Sequence, residues 1–184
     1  MTSEKLFDAV EFATRAHRGQ FRKTLPSPYI LHPLRVGHWL IRYQLPEDVV
    51  VAGILHDVVE DTPFTLSEIE QRFGVPVAQM VREVSEPDKT LSWEDRKRHT
   101  LEAIATLPLE SLCIICADKL DNMLSLAEEQ EFQGNSFWDV FNRPYDQQHW
   151  YYHNLRQTLS VRLERSSFAE LFHRLNNEIF RVFP

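Results

Sequence analysis

Apolar residues recur at spacings of three and four along most of this 184-residue chain, and this period limits the fold more than any other feature. The spacing places apolar side chains on one face of an α-helix. Glycine, which often marks sharp turns, occurs only five times. The pattern therefore predicts an all-α fold in which helices bury their apolar faces against one another.

The length and the apolar content of the chain predict a single domain. Hydrophobic residues make up 43% of the sequence, which suffices for one core in a chain of this size. No internal repeat or low-complexity tract divides the sequence. We expect one helical bundle over residues 1–184 and leave its oligomeric state open.

Capping residues and prolines mark where the helices begin and end. Proline fits the first turn of a helix, glycine suits the position after the last turn, and Ser or Thr caps the start. These signals predict helices over residues 6–17, 34–42, 47–59, 65–74, 77–84, 93–106, 109–129, 145–165 and 168–182, with N-caps at Thr65, Ser92 and Ser167. The three valines at 49–51 leave a short β-strand as the alternative there.

The overall charge argues against one class of function. A net charge of -7 argues against non-specific binding to nucleic acid, which relies on a broad basic surface. No apolar run is long enough to span a membrane, and the N-terminus lacks the pattern of a signal peptide. We therefore expect neither a nucleic-acid nor a membrane partner, and a cytoplasmic location.

Charge is also distributed unevenly along the chain. Residues 1–42 contain seven Lys or Arg and three acids, whereas residues 43–71 contain seven acids and no Lys or Arg. A basic segment facing an acidic, metal-binding one would suit an anionic substrate bridged by a cation. Each run, taken alone, is equally compatible with a solvated helix face.

Residues 54–62, ILHDVVEDT, place four ionisable side chains at the end of a very apolar helix. The four are His56, Asp57, Glu60 and Asp61. A buried charge is costly unless it is paired, hydrogen-bonded or bound to a metal, and a divalent cation is the obvious partner. Because the second pair follows the first by four residues, a continuous helix would place them one turn apart on the same surface. One pair could then bind the cation while the other handles water.

A His and an Asp cannot complete a metal coordination shell, so further ligands must come from elsewhere in the chain. The best candidates are His32, in YILHP, and Asp118, in CADKL, since both lie beside apolar residues and near predicted helix starts or interiors. With His56 and Asp57 they would supply two imidazoles and two carboxylates. Such a set leaves positions open on an octahedral ion for water and a phosphate oxygen, which favours manganese or iron over a closed zinc site.

Five segments carry a resemblance to a known family. They are ATRAHRGQFRK at 13–23, PYILHP at 28–33, LHDVVEDT at 55–62, FG at 73–74 and ADKLDN at 117–122. Through them the chain resembles the HD-domain hydrolases of guanosine tetraphosphate alarmones, in particular the hydrolase domain of RelA/SpoT homologues and the stand-alone small alarmone hydrolases. The resemblance implies a single-domain HD-type helical bundle.

The resemblance also implies a chemistry, the removal of pyrophosphate from the ribose 3′ position of the small nucleotides ppGpp and pppGpp. It implies that manganese, or another divalent cation, is held by the four ligand candidates His32, His56, Asp57 and Asp118. Glu60 and Asp61 would then be the catalytic pair that positions or deprotonates the attacking water. Arg22 and Lys23 would contact the base or the phosphates, and Asn122 would contact the sugar side of the nucleotide.

Departures from the family pattern leave the substrate open. Residues 24–27, TLPS, make the turn before Pro28 one residue longer than usual and free of glycine, and Lys119 and Asp121 stand where long family members often have Arg and His. One alternative is an HD phosphohydrolase for another phosphorylated nucleotide, such as an adenosine alarmone or the phosphate of NADPH. Another is a catalytically silent alarmone-binding protein. The aromatic run at 150–152 could close the pocket or belong to the core.

Overall fold

A computed structural model describes residues 3–22, 27–86, 90–133, 137–138 and 144–184. Within these ranges the chain forms ten helices: α1 (Glu4–Ala16), α2 (Leu31–Arg42), α3 (Glu47–Leu55), α4 (Val58–Asp61), α5 (Leu66–Phe73), α6 (Val75–Val84), α7 (Trp93–Ile104), α8 (Leu109–Gln133), α9 (Tyr145–Leu163) and α10 (Ala169–Val182). Extended pairing among the described residues is limited to an isolated bridge between Phe21 and Pro28. The predicted all-α fold is confirmed, whereas the extent of the single domain stays a prediction.

Helix α3 lies at the centre of the fold. Every residue from Val49 to Leu55 is buried, because α3 packs against α1, α2, α6 and α8 at once. This explains why its sequence is apolar on all sides rather than on one face. The strand considered for residues 49–51 is excluded, since these residues are helical.

Two glycines let α2 and α3 approach closely. A Cβ added at Gly37 would lie 2.6 Å from Ile54 Cγ1, and one added at Gly53 would lie 2.3 Å from Leu40 Cδ1. The two helices are consecutive and joined by the short segment 43–46, so they pack as an antiparallel pair. The start of α2 therefore lies beside the end of α3, which brings His32 near His56.

Several helix boundaries differ from those predicted. The helix expected over 47–59 is interrupted at His56 and Asp57, which form a turn between α3 and α4. Helix α2 begins at Leu31, so that Pro33 lies within its first turn, and α8 continues to residue 133. The predicted caps at Thr65 and Ser92 are confirmed.

The N-cap predicted at Ser167 is wrong. Helix α10 begins at Ala169, and the hydroxyl of Ser166 instead accepts a hydrogen bond from the backbone N–H of Phe168. None of the helices in the described residues is long and apolar enough to cross a membrane.

Candidate active site

The four predicted metal ligands meet at one end of the helix pair. His32 lies in the first turn of α2, His56 and Asp57 form the turn after α3, and Asp118 lies on α8. Ligand atoms of His32, His56 and Asp118 all lie within 4.8 Å of one another. Asp57 is not part of that mutually close set, but its Oδ2 lies 3.5 Å from His32 Nε2 and 3.1 Å from His56 Nε2. The structure thus brings all four side chains together.

The imidazole of His56 is turned to offer Nε2 to a ligand. Its Nδ1 lies 2.8 Å from the carbonyl oxygen of Gly53, which can only accept, so Nδ1 carries the proton. Its Nε2 is buried and lies 3.1 Å from Asp57 Oδ2, but it makes no contact with hydrogen-bond geometry among the described residues. Buried polar atoms are nearly always satisfied, and a cation at the centre of the cluster would satisfy this one.

The imidazole of His32 is oriented in the same way by a different acceptor. Its Nδ1 lies 2.8 Å from Oδ2 of Asp121, a fully buried carboxylate on α8. Its Nε2 lies 3.3 Å from Asp118 Oδ1. From the sequence alone, Asp121 was considered only as a departure from the family pattern that bears on nucleotide contacts and not on the metal, although its spacing of three from Asp118 puts both on one face of a helix.

Opposite charges dominate the electrostatics of the cluster. Burial alone would lower the pKa of His56, but the neighbouring carboxylates of Asp57 and Asp118 raise it to about 9. The pKa of Asp57 is held well below its usual range by His56, and that of Asp118 by Lys119 and the imidazoles, although burial opposes both shifts. Two anionic carboxylates and two imidazoles in a buried cluster form a donor set that suits a divalent cation.

Two neighbours hold the carboxylate ligands in place. The hydroxyl of Tyr29 donates a hydrogen bond to Asp57 Oδ2 at 2.6 Å, and burial together with Asp57 raises the pKa of Tyr29, so the phenol keeps its proton. The amide of Asn122 donates to Asp118 Oδ1 at 2.7 Å. Asn122, predicted to contact substrate, is therefore also a support for a candidate ligand.

The predicted catalytic pair lies on α4, immediately after the ligand dipeptide. Glu60 Oε2 accepts a hydrogen bond from the backbone N–H of Glu86, and burial raises the pKa of Glu60. Asp61 is exposed, and its backbone carbonyl accepts a hydrogen bond from Gln20 Nε2 at 2.8 Å. Both acids face the same cavity as the ligands.

This cavity has a volume of about 820 Å³, which lies in the range of small-molecule sites. The predicted site residues that line it are Arg22, His32, His56, Asp57, Glu60, Asp61, Asp118 and Asn122. Lys23 and residues 24–26 of the unusual turn lie outside the described residues.

Arg22 is anchored at the wall of the cavity. Its Nη1 donates to Ser125 Oγ at 2.7 Å, and its Nη2 donates to Asp121 Oδ2 at 2.5 Å. The side chain is 14% exposed.

Sequence reasoning missed two basic residues elsewhere in the cavity. Arg96 and Lys97, on α7, both form ion pairs with Glu86. No local motif marks them, because their position depends on how α7 packs against the rest of the bundle. Lys119, noted in the sequence only as a departure from the family pattern, forms an ion pair with Asp118 at 2.6 Å. Tyr151 and Tyr152 are buried and also line the cavity, so they belong to both the core and the pocket wall.

The chain is similar to a known family and to several characterised proteins. The HD domain family matches residues 9–141. The guanosine-3′,5′-bis(diphosphate) 3′-pyrophosphohydrolase MESH1 of Homo sapiens is 42% identical over 125 residues, which cover 66% of this chain and 69% of that protein. The bifunctional (p)ppGpp synthase/hydrolase SpoT of Escherichia coli (strain K12) is 36% identical over 129 residues, which cover 67% of this chain but 18% of SpoT.

Solved structures show the same fold. A structure described as a metazoan ortholog of SpoT that hydrolyzes ppGpp superposes with a TM-score of 0.82 at 32% identity, covering 98% of this chain and 96% of that one. The structure of lmo0812 from Listeria monocytogenes EGD-e gives a TM-score of 0.78 at 41% identity, covering 83% of this chain and 98% of that one.

Proposed function

Since the chain belongs to the HD-domain family, we propose that it is a manganese-dependent hydrolase that removes the 3′-pyrophosphate of guanosine tetra- and pentaphosphate. The observation that carries this proposal is the convergence of two imidazoles and two carboxylates beside Glu60 and Asp61 in one cavity. The similarity to MESH1 and to the metazoan SpoT ortholog supports the choice of substrate.

The four ligand candidates His32, His56, Asp57 and Asp118 would hold the cation. A cation bound there supplies a water nucleophile near neutral pH and offsets negative charge on the phosphoryl group. Manganese fits because the donors are nitrogen and oxygen atoms, without the thiolates typical of structural zinc sites. Tyr29 and Asn122 keep Asp57 and Asp118 in place by the hydrogen bonds that they donate.

Glu60 and Asp61 would prepare the water for attack. A general base works best when its pKa lies near the working pH, and burial shifts the pKa of Glu60 in that direction. We therefore assign proton acceptance to Glu60. Asp61, more exposed at the same wall of the cavity, would orient the water.

Arg22, Lys23 and Asn122 would bind the nucleotide. An arginine can stack on a purine and direct its charge towards a phosphate at the same time. Arg22 is suited to this because its guanidinium is fixed by Ser125 and Asp121 at the cavity wall.

The test is an assay of pyrophosphate release. The purified protein with Mn²⁺ and guanosine tetraphosphate should release pyrophosphate and leave guanosine diphosphate. A Glu60→Gln, Asp61→Asn double variant should lose turnover while still binding Mn²⁺. The matched control changes two exposed acids outside the cavity, Glu70→Gln with Glu128→Gln, and should hydrolyse the substrate normally. Normal turnover by the first double variant would overturn the mechanism.

Another phosphorylated nucleotide remains the alternative substrate, and the glycine-free turn at 24–27 favours testing it. A panel of guanosine alarmone, adenosine alarmone and NADPH, measured with Mn²⁺, ranks the three by kcat/KM. A silent alarmone-binding protein is disfavoured, because a mere binder has no physical reason to hold Glu60 and Asp61 beside an already acidic cluster.

A further inference from the structure

The carboxylate of Asp121 contacts both the predicted metal cluster, at His32, and the predicted nucleotide-binding residue Arg22. It is 1% exposed and lies on α8, one turn after Asp118. Its Oδ2 lies 2.8 Å from His32 Nδ1 and 2.5 Å from Arg22 Nη2. One oxygen atom thus contacts both a candidate metal ligand, His32, and a residue predicted to bind the nucleotide, Arg22.

Towards His32, Asp121 fixes which nitrogen can bind a metal. A carboxylate only accepts hydrogen bonds, so the proton of the imidazole must lie on Nδ1. The lone pair of Nε2 then points to the cluster, where Asp57 Oδ2 and Asp118 Oδ1 lie 3.5 Å and 3.3 Å away. A carboxylate behind a ligating histidine also makes the imidazole a stronger donor.

Towards Arg22, the same oxygen fixes the position of the guanidinium. Ser125 Oγ, one turn further along α8, accepts from the other terminal nitrogen of Arg22 at 2.7 Å. The two acceptors leave the guanidinium little freedom to rotate. The other carboxylate oxygen of Asp121, Oδ1, is buried and has no hydrogen-bond partner among the described residues. Arg35 Nη1 lies 3.9 Å from it.

We propose that Asp121 is a positioning residue that orients His32 for the metal and anchors Arg22 for the nucleotide through one carboxylate oxygen. This inference rests on the proposed metal site and on the proposed role of Arg22. It is specific to this chain in one respect, since long members of the family that the sequence resembles often have His at this position. A purely structural role, in which Asp121 only neutralises Arg22, predicts no effect on metal affinity.

Two substitutions separate these roles. Asp121→Ala removes the partner of both His32 and Arg22, whereas Ser125→Ala removes a partner of Arg22 only. The affinity of the metal-free protein for Mn²⁺ is measured from the electron paramagnetic resonance signal of free Mn²⁺, and kcat and KM are measured with guanosine tetraphosphate. Groups that hydrogen-bond to metal ligands contribute about 10- to 100-fold to metal affinity.

We expect Asp121→Ala to weaken Mn²⁺ binding at least about tenfold and to raise KM. Ser125→Ala should raise KM but leave Mn²⁺ affinity unchanged. Asp121→Asn keeps an oxygen that can accept from both neighbours, so it should restore part of the Mn²⁺ affinity. Because it keeps the shape of the side chain, it also provides a folded variant if Asp121→Ala does not fold.

Unchanged Mn²⁺ affinity in Asp121→Ala, or an equal loss in Asp121→Ala and Ser125→Ala, would overturn the proposal. If Asp121→Ala does not fold, the proposal would be overturned by an Asp121→Asn variant whose Mn²⁺ affinity and KM equal those of the unsubstituted protein. The outcome is distinct from failure of the proposed function, because the unsubstituted protein is measured in the same series. Its failure to bind Mn²⁺ would reject the metal site, and its binding of Mn²⁺ without turnover would reject the activity alone.

Discussion

Both histidines of the cluster direct Nε2 towards its centre, because a hydrogen-bond acceptor lies next to each Nδ1. The acceptor is the Gly53 carbonyl for His56 and the Asp121 carboxylate for His32. Protons and a metal ion compete for the same lone pairs, so the protonation of these rings decides whether a cation can bind.

Mn²⁺ affinity should increase with pH. The neighbouring carboxylates raise the pKa of His56 to about 9, so this ring is protonated at neutral pH before metal binds, and they also raise the pKa of His32. Metal binding must therefore release at least the proton of His56. Below the pKa, each proton displaced lowers the affinity by up to about tenfold per pH unit. Calorimetric titrations at about pH 6.5 and 8, in buffers of different ionisation enthalpy, measure affinity and proton release. A pH-independent affinity would contradict the ligand assignment.

Tyr29→Phe should weaken Mn²⁺ binding by about tenfold while preserving the fold. The substitution keeps the ring but removes the hydroxyl that donates to Asp57 Oδ2, so this carboxylate can turn away from the cluster. The same Mn²⁺ titration measures the effect. Tyr43→Phe, on the half-buried tyrosine after α2, is the matched control and should bind as tightly as the original protein.

At the scale of elements, the sequence predicted the helices and the residues of the polar cluster better than the contacts around that cluster. His32, His56 and Asp118 could be found because each is a polar residue within or beside an apolar helical segment. The contact of Asp121 with His32 could not, since it depends on which face of α8 meets α2, and helical period alone does not fix that choice.

The interruption between α3 and α4 was missed for a related reason. Apolar residues resume at Val58 and Val59 directly after His56 and Asp57, and neither of these two turn residues is glycine or proline. In the structure, Asp57 has φ −92° and ψ −6°, and His56 Nδ1 donates to the carbonyl of Gly53 within the last turn of α3. A side-chain contact, rather than a local sequence signal, accompanies the end of the helix.

Gly53→Ala tests the close contact of α2 and α3. The new Cβ would lie 2.3 Å from Leu40 Cδ1, and Leu40 is fully buried and cannot move freely. Overpacking costs about 1–3 kcal/mol, and the better helix propensity of alanine offsets about 1 kcal/mol of that cost. We expect a net loss of up to about 2 kcal/mol in the free energy of unfolding, measured by urea denaturation. The control, Gln79→Ala on the exposed face of α6, should change it by less than about 0.5 kcal/mol. A more stable Gly53→Ala protein would contradict the packing argument.

At the scale of the whole molecule, α8 joins the core to the site. It packs against α2, α3, α6 and α10, its residues 111–117 are all buried, and the turns that follow them carry Asp118, Asn122 and Ser125 to the cavity wall. A cation at the cluster would therefore tie α8 to α2 and to the turn after α3. Any ligand that binds only the folded state adds to the free energy of unfolding.

Mn²⁺ should raise the melting temperature of the protein, and a chelator should lower it again. At 100 times the dissociation constant, binding contributes about 2.7 kcal/mol, which corresponds to about 5–10 °C for a chain of this size. Differential scanning calorimetry over a range of Mn²⁺ concentrations measures the shift. Asp118→Asn should show little dependence on Mn²⁺, whatever its own melting temperature. An equal shift in both proteins would mean that the cation binds elsewhere.

His32 and Asp121, which orient each other, are 89 positions apart in the chain. A site divided in this way cannot exist in a chain synthesised only as far as α7, because its two halves join when α8 docks on α2. Hydrolysis would then begin only after this long-range contact has formed. Capture of the cation would in this way report that the two ends of the site have met.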